Sequence, residues 1–191
     1  MQYKILTLCD IITYMQIPIE TILDFHTKRI QAHIRCVNYF AGLIGYHFPE
    51  HDNDKLLGTI RNGYAYMAYK KYHPEFMLTK AQHEFYTFAH DEHHKTQPHH
   101  LEYYKHDVSR ISDITLIEMI CDWHSASFEQ RFITHEDSIG YSVYDYFSTH
   151  LHHLKLSPHQ LGLIQTMFDF LDMYTSHTDV MSIWAPLTDG V

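Results

Sequence analysis

Glycine and proline are scarce in this sequence, seven and six in 191 residues, and the dipeptides that favour tight hairpin turns are few. A chain built this way is expected to form helices rather than a set of short strands. No run of about 18 apolar residues occurs, so an ordinary transmembrane helix is not expected. The N-terminal MQYKILTLCDIITYM lacks the charged start, apolar centre and small-residue cleavage site of a secretory signal, which makes the cytoplasm the expected compartment. Cys9, Cys36 and Cys121 are odd in number, far apart and free of any CxxC pair. They read as reduced thiols, more often buried than reactive. Cations are also short: 14 Lys and Arg face 23 Asp and Glu, for a formal net charge of −9. A non-specific grip on nucleic acid needs clustered cations and is not expected. No GxSxG, Walker-type loop or dinucleotide fingerprint supports acyl transfer or a nucleotide-driven motor.

What the chain does have is imidazole, in 19 His, and aromatic bulk, in 15 Tyr and 11 Phe. The hydrophobic share of 45% suits one packed helical domain over residues 1–191. Three- and four-residue apolar steps predict a helix from Pro18 to about Gly45 that carries His33 on or beside its core-facing stripe. Further helices are expected at 56–72, at 79–92 behind a Thr79–Gln82 capping box, at 112–128, and at 157–174 behind Ser157–Pro158. Residues 141–191 read as C-terminal packing helices, closed by a tail, APLTDGV, with no chemistry of its own.

The residues that can carry chemistry fall between His33 and Asp122. They are His33, His51-Asp52, the HDEHHKTQPHH cluster of 90–100 and the carboxylates Glu118 and Asp122, one helical turn apart. Taken singly each has a bland reading: a core histidine, a helix cap, a solvated face. Five His among the eleven residues from 90 to 100 exceed that background. Neutral His and carboxylate together suit divalent ions, Mn, Fe, Co or Zn rather than oxygen-seeking Mg, one or two in number. Within the cluster His94, His99 and His100 are the preferred ligands, and His90 and His93 are set aside, because one helix aims only some of its residues inward. Lys55 is a candidate phosphate clamp against the plainer reading of a surface lysine. Glu118 is a candidate general base, an orienting partner for a ligand His, or simply exposed. Trp123, Tyr103 and Tyr104 are candidate pocket walls or core. His150, His152, His153, His159 and His177 lack acidic companions and read as surface or packing.

His33, then His51-Asp52 with Lys55 in an HDxxK arrangement, then Asp122, resembles the H…HD…D signature of the HD-domain metal-dependent phosphohydrolases. The extra histidines of 90–100 resemble the added ligands of two-metal HD phosphodiesterases. More similar still is a family of uncharacterised HD-like proteins, a domain of unknown function. The likeness lies in the early His, HDxxK, HHxxxPHHxEYY and EMICDW, and covers residues 26–128. The resemblance implies an all-α, HD-domain-like helical bundle with a metal site between helices. It implies His33, His51, Asp52 and Asp122 as ligands of a first metal, Asp52 as a bridge to a second, and Lys55 facing phosphate. The expected activity is metal-dependent hydrolysis of a small phosphoester, nucleotides included. The sequence departs from the pattern in a short interval between His33 and His51, in Asp54 where many HDxxK motifs have Gly, and in the absence of a GYP-type motif. Two other readings stand beside it: a non-catalytic metal-binding or interaction protein on the same scaffold, and a di-iron oxygenase.

Overall fold

The computed structural model describes residues 17–135, 143–150 and 154–188. Cys9, His152 and His153 lie outside the described residues, as does the side chain of His150. The architecture is all-α, with no strand among the described residues. The helices are α1 (Ile19–Leu43), α2 (Gly58–Tyr72), α3 (Lys80–Thr96), α4 (Asp113–Phe128), α5 (Val143–His150), α6 (Pro158–Tyr174) and α7 (His177–Thr188). No helix is long and apolar enough to cross a membrane.

α1 is the spine, packed against α2, α4 and α7. Its buried residues Ile22, His26, Ile30, His33, Val37 and Phe40 recur at three- and four-residue steps, so one stripe carries both core and histidines. The main core joins Cys36, Val37 and Phe40 of α1 to Ile120 and Cys121 of α4, Phe168 and Leu171 of α6, and Trp184 of α7. Burial pushes the Cys36 and Cys121 thiols up to about 12, which leaves them protonated and inert. Gly63 lets α2 and α3 cross closely, since a Cβ there would collide with Ala89 and the Phe85 carbonyl.

Local signals set the helix starts. The Thr79–Gln82 and Ser157–Gln160 capping boxes are both formed, and the Ser112 side chain accepts from Thr115 N. Two elements differ from the sequence reading. α3 runs one turn beyond residue 92, to Thr96. The chain also has a helix after α6: residues 185–188, read as tail, belong to α7, which buries Val180, Trp184 and Leu187. The signal for α7 was present in Ser176, whose hydroxyl accepts from Asp179 N at 3.3 Å as a helix cap does.

Candidate metal centre

After α1 the chain turns back through a clamp in which Asn38 binds both backbone groups of Phe48, at 2.6 and 3.0 Å. This return buries His51 and Asp52 against α1 at 2% and 1% exposure. Asp52 takes a left-handed conformation, φ 57°, which asparagine and aspartate tolerate better than other non-glycine residues but which still stores strain. A 3-10 turn, Asn53–Leu56, follows. His26 Nε2 donates to the Lys55 carbonyl at 3.0 Å and ties that turn to α1.

Around Asp52 the side chains sort into two sets. Facing its Oδ2 are His33 Nε2 at 3.4 Å and His51 Nε2 at 3.8 Å. Asp122 Oδ1 completes this set, 2.9 Å from His33 Nε2 and 3.6 Å from His51 Nε2. Facing Oδ1 are His93 Nε2 at 3.2 Å and His99 Nε2 at 3.4 Å, and His100 Nε2 lies 2.8 Å from His93 Nε2. Two ligands of one ion, each bonded at about 2.1 Å, stand about 3.0–3.4 Å apart. The sets have close to that spacing, and both depend on one carboxylate.

The outward ring nitrogens explain why the inward ones converge. His51 Nδ1 lies 3.0 Å from Glu118 Oε1, and His93 Nδ1 lies 2.8 Å from Asp54 Oδ2. Ser125 Oγ, which donates to the His33 carbonyl at 3.5 Å, accepts from His33 Nδ1 at 3.0 Å. Each ring that gives its Nδ1–H outward is left with an Nε2 lone pair aimed at a carboxylate oxygen or at another imidazole. Lone pairs so arranged repel unless a cation lies between them. Consistent with this, Asp52 Oδ1 and His99 Nε2 are buried without a hydrogen-bond partner among the described residues.

The electrostatics point the same way. Burial alone would raise the Asp52 and Asp122 carboxyls. Lys55 and His51 beside Asp52, with the His93 and His99 rings close by, hold Asp52 well below the usual carboxylate range. Hydrogen bonds from His33 and His51 and their charge do so for Asp122. His51, despite burial, is pushed up to about 10 by Asp52, Asp122 and Glu118. A proton there occupies the position a cation would take, and a metal would have to displace it. His100 is driven well down by burial and by His99, so it is neutral.

The structure brings together His33, His51, Asp52, His99, His100 and Asp122 of the residues singled out in the sequence. His93, set aside there, is fully buried and faces Asp52, whereas His94 stands outside both sets with Glu102 Oε2 3.3 Å from its Nδ1. The reason is helical register: Ala89 and His93, four apart, are the buried residues of α3. His90 is partly exposed at the surface beside Asp91. Glu118 lies against the outer edges of His51 and His99, with Oε1 3.0 and 3.6 Å from their Nδ1 atoms. Lys55 Nζ is 2.7 Å from Asp52 Oδ2. Asp54 and Ser125, not singled out for a role in the sequence, each steady a histidine. His159 is an exposed partner of Asp113, and His177 packs on Phe128 and Phe132.

Among the described residues, clefts reach the cluster from two sides. One, about 420 Å³, touches Asp122, His99 and His100 and is walled by Trp123, Tyr146, Met119 and Leu101 with Glu102 and Gln130. Trp123 is thus a wall, while Tyr103 is exposed and Tyr104 packs on the core. The other, about 160 Å³, is lined by Arg29, Lys55, Tyr64 and Lys71 beside Asp52 and Asp122.

Fold and cluster define an all-helical protein with buried His and Asp groups able to hold a metal ion. Residues 23–169 match DUF5662, a family of unknown function, and the chain belongs to that family. The matched span contains both sets of side chains around Asp52 and the residues hydrogen-bonded to them. No curated protein and no solved structure matches the chain.

Proposed function

We propose that the protein is a two-metal phosphohydrolase of the HD type, acting on a small phosphoester with nucleotides among its substrates. The observation that carries this reading is Asp52, whose Oδ2 faces His33 and His51 and whose Oδ1 faces His93 and His99, while His51 and His99 also converge with Asp122. Asp52 would bridge, with His33, His51 and Asp122 on one side and His93, His99 and His100 on the other. Divalent ions bound there would lower the pKa of a water to give a nucleophile near neutral pH and would neutralise charge on the phosphate.

The chain's own groups supply the rest. Glu118, Asp54 and Ser125 fix the rings so that the Nε2 atoms stay converged. Lys55, which lines the smaller cleft, would offer its ammonium to a phosphate oxygen there. The larger cleft is apolar and aromatic with a polar rim, which suits the flat organic part of a nucleotide. Its contact with Asp122, His99 and His100 argues for an accessible centre over a closed metal store. A donor set this rich in imidazole favours Mn, Fe, Co or Zn over Mg.

The test is metal analysis of protein purified without a His-tag, joined to a panel of phosphomonoesters and phosphodiesters before and after chelation. Hydrolysis that vanishes with chelator and returns best with a transition metal supports the reading. Full hydrolysis at zero occupancy contradicts it. Bound metal with no hydrolysis favours the metal-binding scaffold, and dioxygen uptake by iron-loaded protein favours the oxygenase.

A further inference from the structure

We propose a third, outer cation site formed by His94, His100 and Glu102, where a divalent ion is first captured before it passes to the inner pair. The inference rests on the metal reading of that pair and adds a route into it.

Ligand atoms of His94, His100 and Glu102 lie within 4.8 Å of one another, in a group that shares His100 alone with the groups around Asp52. His94 and His100 stack at 3.9 Å, nearly parallel at 12°, which holds their edges side by side. His94 Nδ1 is buried without a hydrogen-bond partner among the described residues although Glu102 Oε2 is only 3.3 Å away, so the pair is close but misaligned for a hydrogen bond. The Glu102 side chain is 43% exposed. All three residues line the larger cleft, whose lining also includes His99 and Asp122.

The arrangement is graded from solvent to core. Glu102 offers a hydrated carboxylate that attracts a cation and exchanges its water. His94 adds an imidazole at the cleft wall. His100 belongs to both the outer and the inner group, and its Nε2 faces His93 at 2.8 Å. An ion held through His100 is therefore already bonded to one ligand of the inner set, and transfer exchanges Glu102 and His94 for His93, His99 and Asp52 without a fully hydrated intermediate. His94 and Glu102, on the polar rim of the cleft, provide what the buried inner groups cannot, a first contact exposed to solvent.

The experiment is rapid mixing of metal-free full-length protein with Co²⁺, following the visible absorption of the bound ion, for wild type, Glu102→Gln and His94→Ala. Both variants should take up Co²⁺ about tenfold more slowly at limiting metal, the scale on which loss of a supporting ligand is felt, yet reach wild-type inner occupancy at saturation. Glu102→Gln is exposed and should fold as wild type, so it keeps the test sharp if His94→Ala disturbs the ring stack. Uptake at wild-type rate in Glu102→Gln overturns the proposal, and so does loss of inner occupancy at saturating metal in either variant. A wild type that binds no Co²⁺ at all would instead overturn the inner pair itself.

Discussion

Arg29 grips both carboxylate oxygens of Glu129, Nε to Oε1 at 2.6 Å and a terminal nitrogen to Oε2 at 2.7 Å. The bond joins α1, one turn before His33, to the π-turn Glu129–Ile133 that follows Asp122 and Ser125 on α4. Tyr72 adds its hydroxyl to Glu129 Oε1 at 2.9 Å, so three elements around the cluster meet at one carboxylate. Breaking a buried pair strands the remaining charge.

Glu129→Ala should therefore cost about 3–5 kcal/mol of stability, read by denaturant unfolding of chelated protein. Glu129→Leu combined with Arg29→Met should recover much of it, since neither charge is then left alone. The sign with pH follows from Glu129, which burial would raise but Arg29 holds below its ordinary 4.5. Its contribution is full above that value and is lost as pH falls through the lower folded value. A Glu129→Ala penalty that did not shrink in acid would refute this assignment.

His26 sets a second acid sensitivity. Burial, then the charge of Arg29, lowers it from 6.5 to about 3, so the folded state resists a proton that the unfolded chain accepts. The stability it supports is full above 6.5 and drains as pH falls toward 3. His26→Gln can still donate to the Lys55 carbonyl and cannot titrate. Chelated His26→Gln should show a flatter stability profile than wild type across that window; an unchanged slope would remove His26 from the explanation.

Asp52→Ala should abolish most binding of both ions, because each set loses an oxygen, while His159→Ala at the surface should leave metal content unchanged. Elemental analysis after dialysis decides this. Equal losses would mean that the histidine excess binds ions indiscriminately.

Asp54→Asn and Glu118→Gln separate the two sets. Each weakens the acceptor that fixes a ring, and losses of about 10–100-fold in metal affinity are typical of such changes. Asp54→Asn should weaken the weaker-binding step or the stronger one, but not both, because Asp54 touches His93 alone among the ligands. Glu118→Gln should affect both steps through His51 and His99. Isothermal titration resolves the steps, and identical profiles for the two variants would contradict the division into sets.

Much of this was legible in the sequence, for physical reasons. α1 is readable because its apolar steps are regular, and the starts of α3 and α6 because the Thr79–Gln82 capping box and the Ser157–Pro158 start are local signals. The succession of His33, His51-Asp52 and Asp122 was readable because it is carried by motif order. The choice between His93 and His94 was less so. It depends on which face of α3 meets α2, and that is fixed by the close crossing at Gly63 and Ala89. The spacing from Ala89 to His93 carried the information, but the cluster's density hid it. Ser125 and Asp54 were hidden because their roles depend on residues distant in the chain. The bounds of α7 within the C-terminal packing helices are not legible, because its core contact is made by Trp184 against helices far earlier in sequence.

The most direct measurement is electron paramagnetic resonance of Mn²⁺-loaded protein, taken with its metal stoichiometry. Two ions sharing Asp52 should give an exchange-coupled spectrum at two Mn²⁺ per chain, and Asp52→Ala should lose that coupling. Wild-type protein that holds Mn²⁺ only as isolated, uncoupled ions, or holds none, would contradict a carboxylate-bridged pair.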